Sequence, residues 1–243
     1  MSPAIALAAP LGALLSSPSP TPPGAGLGAP LAALAVAASA AWAIRAACRG
    51  DRRGVYVFKP LTTLLVLAAT LLLFAPSASR YRELILAGLV LSLAGDVFLM
   101  LGAQRFLPGL GCFLLAQLLY AWAFTTDAPL AVAQLPWAAP FACFAGVVVL
   151  ALWKGLPNAV LRGAVVVYAI VIGAMAWRAA ARTLAPGVPL PSGAAALAGA
   201  CLFLASDAVL AVNRFRRPFR LGEPVTLATY WAAQFLIALS VQG

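Results

Sequence analysis

The chain has 243 residues, of which 64% are hydrophobic and 9% charged, and its mean hydropathy is +1.00. Since soluble globular proteins contain about 25% charged residues, this composition excludes a cytosolic enzyme, a nucleic-acid-binding domain and a secreted disulfide scaffold. The net charge of +10 does not indicate a nucleic-acid partner, because the basic residues lie between apolar segments, where they contact lipid headgroups and set topology. We therefore expect a protein embedded in a membrane.

The first 29 residues differ in composition from the rest of the chain. Seven prolines occur in the first 30 positions, and the stretch from Ser16 to Gly28 reads SSPSPTPPGAGLG. Proline removes a backbone hydrogen-bond donor and clashes with the preceding helical turn, so it disfavours the interior of a helix. We predict a flexible Pro-rich tail over residues 1–29, followed by one transmembrane domain over residues 30–243.

Beyond the tail, apolar segments of membrane-spanning length alternate with short connections rich in Pro, Gly and Arg. The eight predicted spans are residues 30–48, 59–75, 82–101, 106–125, 135–153, 160–181, 193–213 and 224–242. The alternation with period two that marks a β-barrel is absent, so the fold class we expect is an all-α membrane protein of eight transmembrane helices.

The basic residues predict the orientation of these spans. Connections after the odd-numbered spans carry twelve of the 16 basic residues, and those after the even-numbered spans carry four, including Arg178 and Arg182. Basic residues are enriched on the cytoplasmic side of membrane proteins. We therefore expect the odd connections in the cytoplasm and both termini outside. The Arg-rich and Lys-poor composition is typical of a GC-rich bacterium, which indicates an inner membrane.

Two segments of the chain resemble each other. Leu93–Leu99 reads LAGDVFL and Leu204–Leu210 reads LASDAVL, with their aspartates 111 residues apart. Each aspartate lies in the third span of a four-span half, which predicts two parallel four-helix repeats over residues 30–126 and 135–243. Chance similarity within low-complexity apolar sequence is the alternative.

Asp96 and Asp207 are the acidic residues that lie away from the first positions of the predicted spans, and an ionisable residue inside a span indicates a functional site because its burial is costly. Both spans run in the same direction, so both carboxyls are expected at one depth in the cytoplasmic half. Other polar residues near that layer are Lys59, which opens span two, Asn213, Glu223 and Tyr230. Their convergence predicts a pocket that faces the cytoplasm.

Each of these residues also has a structural interpretation. Lys59, beside Pro60 at a helix start, is equally well explained as an anchor that reaches the headgroups. Gln117 and Gln234 can hydrogen-bond neighbouring helices, and the aspartates can form a buried ion pair. The chain has no histidine and its four cysteines are far apart, which excludes a Ser-His-Asp triad and argues against a metal site.

Four segments carry a family resemblance. They are Lys59-Pro60-Leu61, Leu93–Leu101 with Asp96, Phe106–Phe124, and Ser206-Asp207 with Thr229-Tyr230-Trp231 and Gln234. In order and spacing they resemble the YhhN-type lysoplasmalogenase family of eight-spanning membrane proteins, from about residue 31 onward. The family's paired aspartates match Asp96 and Asp207. Family members often carry His where this chain has Gln117, which indicates a hydrogen-bonding role for that residue.

The resemblance implies hydrolysis of the vinyl ether bond of lysoplasmalogens to a fatty aldehyde and glycerophosphocholine or glycerophosphoethanolamine, with no metal or cofactor. Protonation of the vinyl ether gives an oxocarbenium ion, and two carboxyls in different surroundings can serve as acid and as base. We expect Asp96 and Asp207 to be this pair. A proton-coupled transporter of lipids or amphiphiles is the alternative, since it also uses repeats and intramembrane carboxyls.

The expected partners are a lysophospholipid substrate and the surrounding membrane lipid; no nucleic acid and no particular oligomeric state are indicated. Lys59, Arg105 and Arg214 are the expected contacts of the lipid phosphate, although a role as topology signals explains them equally well. The further residues that we expect to contact substrate are Gln117, Tyr120, Asn213, Tyr230 and Gln234.

Overall fold

A computed structural model describes residues 25–72 and 79–242. Within these ranges the chain forms eight α-helices and no strands, which confirms the predicted fold class. The helices are α1 (Ala25–Arg49), α2 (Arg52–Leu72), α3 (Arg80–Met100), α4 (Phe106–Thr126), α5 (Ala139–Leu152), α6 (Ala159–Thr183), α7 (Leu190–Phe215) and α8 (Gly222–Leu239). Each is long and apolar enough to cross a membrane, α5 together with the 3₁₀ turns on either side of it.

The first two helices begin earlier than the sequence predicts. Helix α1 starts at Ala25 and contains Pro30, while residues 1–24 of the predicted tail lie outside the described residues. Helix α2 starts at Arg52 because Asp51 caps it: its Oδ1 accepts a hydrogen bond from Gly54 N at 3.2 Å. The prediction that Lys59 opens this span is therefore wrong, since Lys59 and Pro60 lie inside α2.

Consecutive helices pack against each other except α4 and α5, and α3, α4, α7 and α8 form the centre of the bundle. Helix α4 also packs on α6, and α8 also packs on α1 and α2. Small residues allow the central helices to approach closely. At Gly95 an added Cβ would lie 2.7 Å from the ring of Phe113, so α3 and α4 are in direct contact beside Asp96.

The two ends of the bundle differ in charge. One end holds the connections α1–α2, α3–α4, α5–α6 and α7–α8, and it is called the basic end here. The basic residues in these connections are Arg105, Lys154, Arg216, Arg217 and Arg220. At the opposite end, the connections 127–138 and 184–189 contain no basic residue. Among these connections, every basic residue therefore lies at one end of the bundle, which agrees with the unequal distribution of basic residues seen in the sequence.

Arg178 and Arg182, which the sequence analysis assigned to a connection, lie inside α6 and are 4% and 3% exposed. Arg182 Nε donates to Asp127 Oδ2 at 2.9 Å, and Arg178 Nη1 donates to Gln134 Oε1 at 2.7 Å. The assignment to a connection is wrong, because both guanidinium groups turn inward to hydrogen-bond the segment between α4 and α5. They hold that segment against α6.

Candidate active site

Asp96 lies near the C-terminal end of α3 and is 1% exposed. Its Oδ2 accepts hydrogen bonds from Thr63 Oγ1 at 2.7 Å and from Tyr230 Oη at 2.9 Å. The Nζ of Lys59 lies 3.5 Å from its Oδ1. Helix α2 therefore supplies a cation and a hydroxyl, and α8 supplies a second hydroxyl. Both oxygens of the Asp96 carboxyl therefore have polar partners within the protein.

Asp207 lies on α7 and has a different set of neighbours. Its Oδ2 accepts hydrogen bonds from Tyr168 Oη at 2.5 Å and from Gln117 Nε2 at 3.1 Å. Gln117 Nε2 also donates to Tyr168 Oη at 2.6 Å, so the three side chains form one closed group. Among the described residues no cation forms an ion pair with Asp207. Helices α6 and α4 thus supply neutral groups.

The two aspartates occupy related positions in the bundle. Asp96 on the third helix is contacted from the second and the eighth, and Asp207 on the seventh is contacted from the sixth and the fourth. Lys59 on α2 has its counterpart in Tyr168 on α6. The surroundings are therefore similar in layout and different in charge, which is what two carboxyls with separate chemical roles require.

Aromatic rings lie between the two groups. The ring of Phe113 meets those of Phe203 and Tyr230 edge to face, with centroids 6.3 and 5.7 Å away. Within the described ranges no hydrogen bond joins Asp96 to Asp207. The two carboxyls therefore do not share a proton in this conformation.

Asp207 borders an apolar cavity between helices α3 to α7. The walls are aliphatic and aromatic and include Leu99, Phe106, Phe113, Leu152, Ile172 and Phe215. Asp207 is the one carboxyl among the described residues that line it, and Tyr168 is beside it. A long hydrocarbon chain would find in this cavity an apolar surface with a single acidic group.

A second pocket lies at the basic end between α1, α2, α3 and the start of α8. It is called the polar pocket here, and its charged residues are Asp51, Arg52, Lys59 and Glu223. Lys59 thus borders this pocket while it contacts buried Asp96. Leu99 lines both the polar pocket and the apolar cavity, so one side chain belongs to both walls.

The structure places other predicted site residues outside these two spaces. Tyr120 Oη donates to Gln234 Oε1 at 2.8 Å, and both residues are fully buried in the core. Asn213 Oδ1 accepts from Phe219 N at 2.9 Å and stabilises the α7–α8 connection. These three residues have structural contacts and line neither space.

The two predicted arginines lie at the basic end. The guanidinium of Arg214 stacks over the ring of Phe106, 3.9 Å from its centroid, and Phe106 lines the apolar cavity. Arg105 is exposed immediately before α4. Arg214 is therefore close to the rim of the cavity, whereas Arg105 lies on the surface.

Tyr168 is the main site residue that the sequence analysis missed. Its signal is weak, because a single tyrosine in the segment VVVYAIVI resembles any aromatic residue of a span. The internal similarity could have identified it, since it lies near the position that corresponds to Lys59. No three His, Cys, Asp or Glu side chains come together as a metal site in the part of the chain that the structure describes.

The fold and the site together define a polytopic integral membrane protein with two carboxyl groups, Asp96 and Asp207, away from the first turns of its spans. The model of the YhhN family matches residues 54–241, and the chain belongs to that family. No solved structure matches it.

Similar proteins occur in bacteria and in mammals. The chain is 33% identical to the membrane protein YhhN of Escherichia coli O6:H1 over 214 residues, which cover 86% of this chain and 97% of that protein. It is 37% identical to human lysoplasmalogenase TMEM86B over 178 residues, which cover 72% and 70% of the two chains. Human lysoplasmalogenase TMEM86A is also 37% identical, over 179 residues that cover 70% and 68%.

Proposed function

We propose that this protein is a membrane-embedded lysoplasmalogenase that cleaves the vinyl ether bond of a lysophospholipid, with Asp207 as the reacting carboxyl. The observation that carries the proposal is the position of Asp207, which borders the apolar cavity and is hydrogen-bonded by neutral groups alone among the described residues. The similarity to mammalian lysoplasmalogenases supports it. The substrate's hydrocarbon chain would occupy the apolar cavity.

In the first step, Asp207 donates a proton to the β-carbon of the vinyl ether. The electron pair of the carbon–carbon double bond forms the new C–H bond, and the α-carbon becomes positive, with the charge shared by the ether oxygen. The proton comes from Oδ1, since Oδ2 already accepts the bonds from Tyr168 and Gln117. These two side chains fix the carboxyl so that its second oxygen faces the substrate.

In the second step, water adds to the α-carbon while the Asp207 carboxylate accepts a proton from it. The product is a hemiacetal, in which the bond to the glycerol oxygen then breaks: Asp207 donates its proton to that oxygen and accepts the proton of the hemiacetal hydroxyl, whose oxygen becomes the aldehyde oxygen. An aldehyde and a glycerophospho-alcohol leave, and Asp207 is again protonated. The carboxylate formed in the first step lies beside the oxocarbenium ion and stabilises its charge.

Asp96 has a separate role in this proposal. It is paired with Lys59, and because it is 1% exposed it does not touch the reacting carbons. It acts as a positioning residue that holds Lys59 at the border of the polar pocket. The pair expected from the sequence is thereby divided into a reacting carboxyl and a supporting one.

A detergent assay tests the proposed function. Purified protein is given alkenyl, alkyl and acyl lysolipids, and aldehyde release is measured without any ion gradient. We expect aldehyde from the alkenyl lipid alone, and a loss of about 10³-fold in kcat for Asp207→Asn, since general acid catalysis contributes 10²–10⁴. Glu83→Gln, at the opposite end, is the matched control. Full activity of Asp207→Asn contradicts the proposal, and a transporter would release no aldehyde.

We further propose that the membrane is a bacterial inner membrane and that the basic end faces the cytoplasm. The connections at the basic end hold several basic residues, while residues 127–138 and 184–189 at the opposite end hold none. In this orientation the polar pocket opens to the cytoplasm, and the lipid headgroup is at the cytoplasmic leaflet.

A further inference from the structure

The apolar cavity extends only a short distance beyond Asp207 as seen from the basic end. Asp207 lies about 12 Å along α7 from Phe215, the last residue of that helix. On α7 the lining residue farthest from the basic end is Leu204, about one helical turn beyond Asp207. On α6 it is Ile172, about one turn beyond Tyr168. A chain that reacts at Asp207 and points away from the basic end therefore reaches the end of the cavity after about 5 Å.

A lipid chain is too long for this remaining space. The hydrocarbon core of a bilayer is about 30 Å thick, so the chain of a lipid in one leaflet spans roughly 15 Å. Most of such a chain must therefore leave the cavity between two helices.

A second apolar space lies between α5 and α6 on the outside of the bundle, and it is called the membrane groove here. Along α6 its lining residues run from Val166 to Trp177, over about 16 Å and away from the basic end. Its α5 side includes the small residues Ala142 and Gly146, which are exposed on a helix that crosses the membrane and so face lipid. The groove thus begins near the depth of Tyr168 and has about the length of a lipid chain.

Two alanines separate the cavity from the groove. Ala145 of α5 and Ala169 of α6 line both spaces, and Ala169 follows Tyr168 in the chain. A Cβ added at Gly173 would lie 3.8 Å from Ala145 Cβ, so α5 and α6 meet at this point through very small side chains. Helix α5 has one buried residue, Leu152, at its basic end. The wall is therefore thin, and the helix that carries half of it is loosely packed.

We propose that Ala145 and Ala169 form a portal through which the hydrocarbon chain of the substrate passes, with its reacting end in the apolar cavity and its distal part in the membrane groove. The direction of the chain rests on the proposed function. Because the groove is apolar and borders lipid, the distal chain keeps surroundings as apolar as those in the bilayer. The aldehyde formed at Asp207 can then leave sideways into the membrane without crossing the basic end.

The portal makes the length of the chain a matter of space rather than of hydrophobic gain. Lipid and groove are equally apolar, so the wild type should bind short and long chains with similar affinity. A bulky side chain in the portal or the groove excludes the part of a long chain that has to pass, whereas a chain that ends inside the cavity is unaffected. Two chain lengths therefore distinguish the portal from a general effect on binding.

The test measures binding of saturated alkyl-ether lysolipids, which lack the vinyl ether and are not cleaved. Dissociation constants in a neutral detergent are compared for a chain of about 6 carbons and a chain of about 16 carbons, the latter long enough to cross roughly one leaflet. In Ala169→Phe, at the portal, and in Gly146→Phe, in the groove, the long-chain lipid should bind roughly tenfold more weakly. The short-chain lipid should stay within about twofold of its wild-type affinity.

Val167→Phe and Gly163→Phe are the matched controls on α6. Gly146 and Gly163 are both exposed, and a Cβ added at either has no atom of another described helix within 4 Å, so both positions have room for a side chain. Val167 is half-exposed and, like Gly163, lines neither the cavity nor the groove. Both controls should leave the ratio of the two dissociation constants unchanged.

The outcomes separate the portal from the proposed function, because the measurement requires no cleavage. A shift of the ratio in both Ala169→Phe and Gly146→Phe supports the portal, even if no aldehyde is released and the proposed reaction is wrong. A ratio that stays at the wild-type value in either variant overturns the portal, even if the protein cleaves vinyl ethers. Equal weakening of both lipids also overturns it, because it indicates damage to the fold rather than a blocked chain.

Discussion

Tyr168 Oη and Asp207 Oδ2 are joined by a hydrogen bond of 2.5 Å, and Gln117 closes the group. On the other side of the bundle centre Asp96 is paired with Lys59 instead. Asp207 thus has a neutral hydrogen-bond donor where Asp96 has a cation, so the two carboxyls differ in their electrostatic surroundings. In the proposed reaction this difference assigns the proton transfer to Asp207 and the pairing with Lys59 to Asp96.

Tyr168→Phe should reduce kcat for vinyl ether cleavage roughly tenfold, because one hydrogen bond of about 1–1.5 kcal/mol no longer orients Asp207. The measurement is initial-rate kinetics of the purified variant. Tyr81→Phe is the matched control, since Tyr81 Oη is bonded to Ser240 Oγ at 2.6 Å at the opposite end. It should lower thermal stability with little change in kcat. An unchanged rate in Tyr168→Phe would show that this bond does not assist the reaction.

Gln117→His should keep activity within a few-fold of the wild type, because an imidazole N–H can replace Gln117 Nε2 as the donor to Asp207. Gln117→Leu removes the donor and should lower kcat roughly tenfold. Both variants are assayed in parallel for aldehyde release. Equal activity of the two would exclude a hydrogen-bonding role for this position.

Lys59→Met should destabilise the protein by about 3 kcal/mol, because Asp96 is then a buried charge without its cation. Adding Asp96→Asn to this variant should restore most of the stability, since the amide oxygen still accepts from Thr63 and Tyr230. Thermal unfolding in detergent measures both effects. Destabilisations that simply add in the double variant would show that the two residues are not coupled.

The orientation of the bundle can be measured with Cys48, an exposed cysteine at the end of α1 beside the basic end. In a variant with this cysteine alone, a membrane-impermeant maleimide should react after the cells are permeabilised and not before. Leu130→Cys, in the connection between α4 and α5, should react in intact spheroplasts. The reverse pattern would place the basic end outside.

Hydropathy alone predicts most of this fold, since each span must bury its backbone polar groups in a helix of fixed length. It also identifies Asp96 and Asp207, because carboxyls are rare in such helices. Hydropathy does not predict the start of α2, because the side chain of Asp51 caps the helix there. The first seven residues of α2 include two arginines and do not resemble a membrane span. That error placed Lys59 at the first residue of its span, whereas it lies seven residues inside α2.

The neighbours of each aspartate are harder to predict. Tyr168 and Asp207 meet because α6 and α7 pack at one particular rotation, which a pattern of Val, Ala and Leu does not specify. Arg178 and Arg182 show the same limit, since their sequence position at the end of a span fits a headgroup contact as well as an internal one. Tertiary packing decides between these outcomes.

The different neighbours of Asp96 and Asp207 have a consequence for how such a site can be built. Two identical four-helix chains related by a two-fold axis would present the same residues to both carboxyls. Any mutation that added a lysine beside one would add it beside the other. One continuous chain of eight helices removes that constraint, so each half can change its charge independently. The asymmetry between Lys59 and Tyr168 is available to a single polypeptide and not to a symmetric dimer.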